Sequence, residues 1–378
     1  MTQPGRLVQV PEGYSTFIPD PLPLTIDWTP RLVNALSDAD RAIGRLAGEG
    51  RRLPNPHVLM RPFVAREAVL SSRIEGTQAT LGELLAAEAG AVVDRSPDDL
   101  REVANYVVAL ELGMSRLGEL GLSVGLLQEV HRELLRGVRG EQARPGEIRT
   151  MQNWIGVPGS TPHTALYVPP PPGEVMNLLE ALSTFLGQTA LPPLVQIALA
   201  HYQFEAIHPF LDGNGRIGRL LITLFLHRRS LLPSPLLYLS AFFEATRSDY
   251  YAGLRGVSNA AAWEDWLVYF VNGVARQSED VVSRATRMLE LLDAWRLCVA
   301  GSGSNTPLKV VEMLAGNPFV TAMSVSEQLG VARTTATRAI GWLVEIGILQ
   351  QTDDRQRDRA YCAVDLLRIL EEPAALGQ

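Results

Sequence analysis

The sequence predicts an all-α protein that carries a short β-hairpin flap and ends in a C-terminal winged helix-turn-helix. Three observations support this fold class. Apolar residues recur at helical spacing in successive runs between Pro30 and Arg296. Residues 149–172, RTMQNWIGVPGSTPHTALYVPPPP, crowd turn formers between Trp154-Ile155 and Leu166-Tyr167-Val168, the pattern of a hairpin or irregular flap. Gly301-Ser302-Gly303-Ser304-Asn305 then reads as a linker, and the pattern after it is that of a separate small module.

In chain order, residues 1–25 are Pro-rich, and TFIPDPLPL is expected to lie against the body as an ordered strap. Helical periodicity starts near Pro30 and runs to about Ala47. Residues 62–89 form the next helical region, in which Thr80 to Glu83, TLGE, is a candidate capping box. Asp98 to Gly118 and Ser123 to Leu135 are amphipathic and lead into the flap, and Glu174 to Gly187 and Leu194 to Ile207 follow it. Asn214 to about Arg228 is a helix with Ile217, Leu220, Leu221, Leu224 and Phe225 on its apolar face. Tyr250 and Tyr251 open a further helix, and residues 262–296 are expected to form two more. The domains read as 1–120, an N-terminal region; 121–260, a core; 261–300, a helical connector; and 306–370, the winged module.

In that module, Leu308 to Leu314 and Ser324 to Gly330 are two short helices, and Arg333 to Ile346 is a helix of the recognition type. Ile348 to Cys362 is a two-stranded wing with DDRQRDR at its tip. Such a helix commonly enters a DNA groove. The segment from 306 to the end holds 7 Lys and Arg against 9 Asp and Glu, so it lacks the basic excess that phosphate binding draws on. DNA contact through Arg333, Arg338, Arg355, Arg357 and Arg359, and protein contact or homodimer formation, both stay open.

The chain has 378 residues, 46% hydrophobic and 20% charged, with a net charge of −7, which fits an ordinary globular protein of two or three domains. It has no leader pattern and no apolar run near 18 residues, so no membrane partner is expected and a cytoplasmic location is. Cys298 and Cys362 are too few for a disulfide framework or a metal set. Lys309 is the only lysine among many arginines, which points to a GC-biased, bacterial coding sequence.

Chemistry concentrates in residues 208–219, HPFLDGNGRIGR. A helix beginning at Asn214 presents unpaired N–H groups and the positive end of its dipole to whatever precedes it, which makes an anion site. Gly213 and Gly215 permit close approach of phosphate. Arg216 and Arg219 project from neighbouring turns, and their planar forks suit phosphate oxygens. His208 ends the preceding helix and can accept a proton from an attacking hydroxyl. Asp212 is placed to hold Mg2+ together with the phosphates.

This stretch resembles the Fic signature HPFx[DE]GNGRxxR at every fixed position. The resemblance implies a Fic-type helical core that transfers AMP from ATP to a hydroxyl side chain (Ser, Thr or Tyr) of a protein target, with the chain itself among the candidate targets. On that basis His208 is the general base and Asp212 the Mg2+ ligand. Gly213, Asn214 and Gly215 cradle the α- and β-phosphates, Arg216 holds the β-phosphate and Arg219 the γ-phosphate. Ile217 and Gly218 complete the nucleotide-binding stretch, Tyr250 walls the base, and residues 149–172 are the flap that aligns the target by strand addition.

Ser71 to Gly76, SSRIEG, matches the family's inhibitory motif [ST]xxxE[GN], upstream of the core. A Glu75 carboxylate on Arg219 would take the fork that the γ-phosphate needs. The alternative is an exposed helix carboxylate paired with Arg73 or Arg66. At the level of the whole chain the competing reading is a DNA-binding regulator whose core senses nucleotide or removes AMP.

Overall fold

The computed structural model describes residues 3–22, 25–52, 56–138, 144–232, 235–301, 303–352 and 359–374. It is mainly helical. The N-terminal strap is a hairpin, with β1 (Gly5–Gln9) antiparallel to β2 (Ser15–Pro19). The first helices are α1 (Pro30–Arg52), α2 (Pro56–Ile74) and α3 (Leu81–Glu88), the last with Thr80 and Glu83 forming the capping box that TLGE predicts. Next come α4 (Pro97–Leu120) and α5 (Val124–Leu134), then beyond the flap α6 (Pro172–Gly187), α7 (Pro193–Ile207) and α8 (Asn214–Arg228). Two shorter helices follow, α9 (Ser240–Ala245) and α10 (Arg247–Ala260).

Residues 262–296, expected to form two helices, instead form most of one, α11 (Trp263–Val299), 37 residues long. At ~1.5 Å per residue it spans roughly 55 Å. Gly273 lies inside this helix. A Cβ there would lie 2.5 Å from the Phe242 ring, so the glycine serves packing and the helix runs through it. α1 packs along α11, with Arg31 and Asp265 paired at 2.6 Å.

The tail contains α12 (Thr306–Leu314), β3 (Phe319–Thr321), α13 (Ala322–Leu329), α14 (Arg333–Glu345), β4 (Gln350–Gln351), β5 (Ala360–Cys362) and α15 (Val364–Glu371). Its three strands are ordered β3-β5-β4, all antiparallel. Residues 353–358 of the DDRQRDR tip, Arg355 and Arg357 among them, lie outside the described residues. The tail docks on the N-terminal helices. Asn317 Nδ2 donates to Leu85 O at 2.8 Å, Thr321 Oγ1 to Ala89 O at 3.1 Å, and the Gly82 amide to Glu371 Oε1 at 3.0 Å. The buried core is continuous from Ile18 to Leu370.

The flap is two arms joined at a single bridge, Ile155 to Tyr167. Pro158 and Pro162 between the arms cannot donate to a longer ladder. Tyr167 OH donates to Ala206 O at 2.8 Å, and the Phe17 amide to Val168 O at 2.8 Å, so α7 and the N-terminal hairpin both hold the flap's second arm.

Candidate active site

α7, α8, α10, the flap and the end of α2 enclose a cavity of about 330 Å³. Its lining includes Glu75, His208, Gly215, Arg219, Tyr250 and Tyr251. His208 caps α7 in the left-handed conformation, φ 49° and ψ 61°, with its amide donating to Phe204 O. A non-glycine residue there is strained by about 1–3 kcal/mol and persists only where its surroundings fix it.

Those surroundings centre on Arg149. Its guanidinium donates to His208 O at 2.8 Å, Pro170 O at 2.6 Å, Met151 O at 3.3 Å and Ile207 O at 3.3 Å. One side chain therefore ties both stems of the flap to the residue that bears the imidazole. Asn153 Nδ2 reinforces it with bonds to Phe210 O at 2.7 Å and His208 O at 3.2 Å. His208 Nδ1 lies 3.3 Å from Glu205 O, a group that only accepts, so Nδ1 carries the proton and Nε2 keeps its lone pair. Burial, then the charge of Arg149, lowers the His208 pKa to about 4, and the imidazole is neutral at pH 7.

The loop from His208 to Gly213 is closed by Asn214, whose Oδ1 accepts from the Phe210 amide and whose Nδ2 donates to Phe210 O, both at 2.8 Å. Phe210 is fully buried, which contributes roughly 1.5–3 kcal/mol. It stacks on the His131 ring at 3.8 Å and 7°. The Gly146 amide donates to His131 Nδ1 at 2.8 Å, so Nε2 carries the proton and donates to Asp212 O at 3.0 Å. His131 thus holds the loop from beneath. Gly213 adopts φ 75°, and its amide donates to Asp212 Oδ1 at 2.6 Å. The amides of Asn214, Gly215 and Arg216 form the first turn of α8 and have no helical acceptor.

Glu75 reaches this helix start. Arg219 Nη2 donates to Glu75 Oε1 at 2.7 Å and to Ser71 O at 2.9 Å, and Nε donates to Ser71 Oγ at 2.8 Å. A Cβ on Gly215 would lie 2.2 Å from Glu75 Oε1, so the carboxylate sits directly over the glycine. Burial pushes the Glu75 pKa up, but Arg219, Arg216 and His208 together outweigh it and hold the group ionised. Neither alternative partner engages it: Arg73 lies 3.9 Å from Glu244, and Arg66 lies 3.7 Å from Asp280. Arg216 forms a buried ion pair with Glu102 of α4 and comes within 3.9 Å of Asp212. Both arginines of HPFLDGNGRIGR therefore face carboxylates, and the sequence motifs anticipate only the one at Arg219.

Residues 33–115 match the family model described as Fic/DOC family N-terminal, and residues 121–226 the one described as Fic/DOC family. The chain belongs to the Fic/DOC family. Its curated relatives include the protein adenylyltransferase fic-1 of Caenorhabditis briggsae, 34% identical over 216 residues, which are 56% of this chain and 39% of that protein. The protein adenylyltransferase Fic of Drosophila willistoni is 32% identical over 166 residues, 42% of this chain and 31% of that protein. The chain thus spans well under half the length of these relatives. Among solved structures, a Fic family protein from Desulfovibrio desulfuricans shares the fold at a TM-score of 0.60 and 24% identity, covering 90% of this chain and 97% of that one. A Fic-1 fragment from Caenorhabditis elegans is 26% identical at a TM-score of 0.52, covering 69% and 75%.

Within this Fic fold the expected site residues occupy different layers. Glu75, His208, Gly215, Arg219 and Tyr250 line the cavity. Asp212 is half exposed beside it. Ile217 points into the core and its amide donates to Gly213 O, so it supports the loop from behind. Gly218 makes room for Glu205. Tyr250 presents only its ring: His201 Nδ1 donates to Gly218 O at 3.1 Å, which leaves Nε2 to accept from Tyr250 OH at 2.8 Å. Arg149, His131, Glu102 and Glu205 were absent from the expected site. Each lies outside the signature string; Glu205 alone has a local signal, its place one helical turn before His208.

Proposed function

We propose that this chain is an autoinhibited protein adenylyltransferase. The observation that carries the reading is the Glu75 carboxylate lying on Arg219 and over Gly215, in the same cavity as a neutral His208 with a free Nε2. The relatives named as protein adenylyltransferases support it.

ATP would place its α- and β-phosphates against the amides of Gly213, Asn214 and Gly215, with the β-phosphate toward Arg216 and the γ-phosphate on Arg219. Among the described residues no cluster of three His, Cys, Asp or Glu could hold a metal by itself. The half-exposed Asp212 fits the one role left, a single carboxylate for a Mg2+ ion that arrives with the phosphates. Bound there, the ion would neutralise charge on the departing pyrophosphate.

A target hydroxyl loses its proton to His208 Nε2 as its oxygen bonds to the α-phosphorus, and the bond to the β-phosphoryl oxygen breaks to release pyrophosphate. The flap's exposed Trp154, Ile155 and Leu166 offer an apolar edge on which a target segment can lie. With Glu75 in place the γ-phosphate has no fork to bind, and in-line attack fails.

Incubating the Glu75→Gly protein with α-labelled and with γ-labelled ATP tests the reading. Label is expected from the α position only, and none once His208→Ala is added. Label from the γ position alone would overturn it.

A second surface favours a DNA partner as an accessory role: Arg333, Thr334, Thr337 and Arg338 lie together on the exposed face of α14. Fluorescence anisotropy of labelled duplex DNA with and without Arg338→Ala tests it.

A further inference from the structure

Glu205 lies one turn before His208 on α7, on the side that meets α8. Opposite it stands Gly218, where a Cβ would lie 2.3 Å from Glu205 Oε1, so the carboxyl fills a notch that only glycine leaves open. That oxygen is buried and has no hydrogen-bond partner among the described residues. The same side chain lines the cavity that holds Glu75, His208 and Arg219. Buried polar groups in native structures are overwhelmingly paired, and here one carboxyl oxygen is left orphaned in the notch while the same side chain borders the cavity, where a ligand can supply a partner to the group.

We propose that Glu205 is a nucleotide-binding residue, donating its O–H to a phosphate oxygen of the nucleoside triphosphate beside Arg219. The proposal rests on the reading of the cavity as a nucleoside triphosphate site.

Ionised, the same side chain would have only acceptors to offer an anion. Burial, with the nearby Glu75 charge adding to it and Arg219 opposing it, raises the Glu205 pKa to about 8, so the acid is protonated at neutral pH. The other groups facing the cavity do not titrate between pH 7 and 9. Arg219 remains cationic, His201 and His208 have pKa values of about 3 and 4, and the pKa values of Tyr250 and Tyr251 are raised above 10. Glu75 is ionised throughout and is removed in the test.

The experiment measures binding of Mg2+ and α,β-methylene ATP to the full-length Glu75→Gly protein by calorimetry from pH 7 to 9. A ligand that needs the protonated acid loses affinity by about tenfold per pH unit above the Glu205 pKa, which in this background lies below about 8 because the Glu75 charge that helps to raise it is gone. Adding Glu205→Gln, which keeps an N–H donor, leaves affinity at pH 7 within about threefold and flattens the profile. Adding Glu205→Ala lowers affinity at pH 7 by about tenfold. A pH profile that Glu205→Gln leaves unchanged would overturn the proposal.

Infrared difference spectra of the unliganded protein provide a readout independent of nucleotide. At pH 7 the protonated-carboxyl band is expected to diminish on Glu205→Gln substitution, and an unchanged band would also overturn the proposal. Absence of any binding at any pH would instead overturn the nucleotide reading of the cavity, and this proposal with it.

Discussion

Glu75 Oε1 accepts from Arg219 Nη2 at 2.7 Å across 144 positions of sequence, and Ser71 supplies two more acceptors to the same guanidinium. Charge-assisted hydrogen bonds of this kind contribute about 1.5–3 kcal/mol each. A phosphate competing for the fork must displace at least one, which corresponds to about 10- to 150-fold in affinity. Glu75→Gly should therefore raise incorporation from α-labelled ATP by at least about tenfold, followed by autoradiography of the protein itself or of added extract. Equal incorporation in the two proteins would remove Glu75 from the inhibitory role.

Arg149 bonds four backbone carbonyls around His208 and the flap stems. Arg149→Ala takes this donor from all four and leaves His208 O with Asn153 alone, and the expected loss is about 3 kcal/mol or more in urea unfolding. Arg149→Lys recovers only part of it, because a point ammonium cannot reproduce the fork. In the Glu75→Gly background the same changes should lower kcat more than they raise KM for ATP, since the imbalance falls on the base and the flap.

His208 has a folded pKa of about 4, so its imidazole is free to accept a proton well below pH 6.5. Self-labelling by Glu75→Gly should hold from pH 7.5 to about pH 5 and fall as the pH approaches 4. A decline centred near 6.5 would mean that the imidazole is not held in this buried environment.

Stability follows the same groups. His131, His201 and His208 have folded pKa values of about 4, 3 and 4, below the ordinary value of about 6.5. The unfolded chain takes up their protons first, so this contribution is present above pH 6.5 and is lost as pH falls toward 4. Glu205, raised to about 8, acts in the opposite sense, and its contribution is lost as pH rises from about 4.5 to 8. His131→Gln should reduce the fall in stability between pH 6 and 5 by about 1 kcal/mol per pH unit, measured by urea titration at the two pH values.

Asp212, half exposed with its Oδ1 accepting from the Gly213 amide, is the residue to which the proposed mechanism gives the Mg2+ ion. Removal of divalent cations by EDTA should abolish label transfer in Glu75→Gly. Asp212→Asn should lower it by about 100-fold at millimolar Mg2+ while leaving the urea midpoint within about 0.5 kcal/mol. Undiminished transfer without divalent cation would exclude the metal.

Much of this architecture is legible in the sequence because it is written locally. The capping box at Thr80, the bounds of α8 and the glycine-framed turn at Gly213 follow from residue types a few positions apart. The single long α11 is not legible, because periodicity over residues 262–296 does not distinguish one helix from two, and the Phe242 ring that packs on Gly273 comes from a distant segment. The N-terminal hairpin is hidden for a related reason: its second strand is held by Val168 of the flap and by α7.

The sequence by itself pointed to the family and to the helix that starts at Asn214, and it singled out His208, Asp212 and Glu75 as the residues on which the proposed base, metal and inhibitory roles rest. Each of these lies within a contiguous string whose chemistry survives without knowledge of its neighbours. Only the tertiary structure decided which guanidinium Glu75 occupies, that Glu102 faces the other, that Arg149 fastens the flap to His208, and that Glu205 Oε1 has no hydrogen-bond partner among the described residues. Those pairings join residues far apart in the chain. Their strength depends on burial and on distances of a few ångströms, which no local spacing encodes.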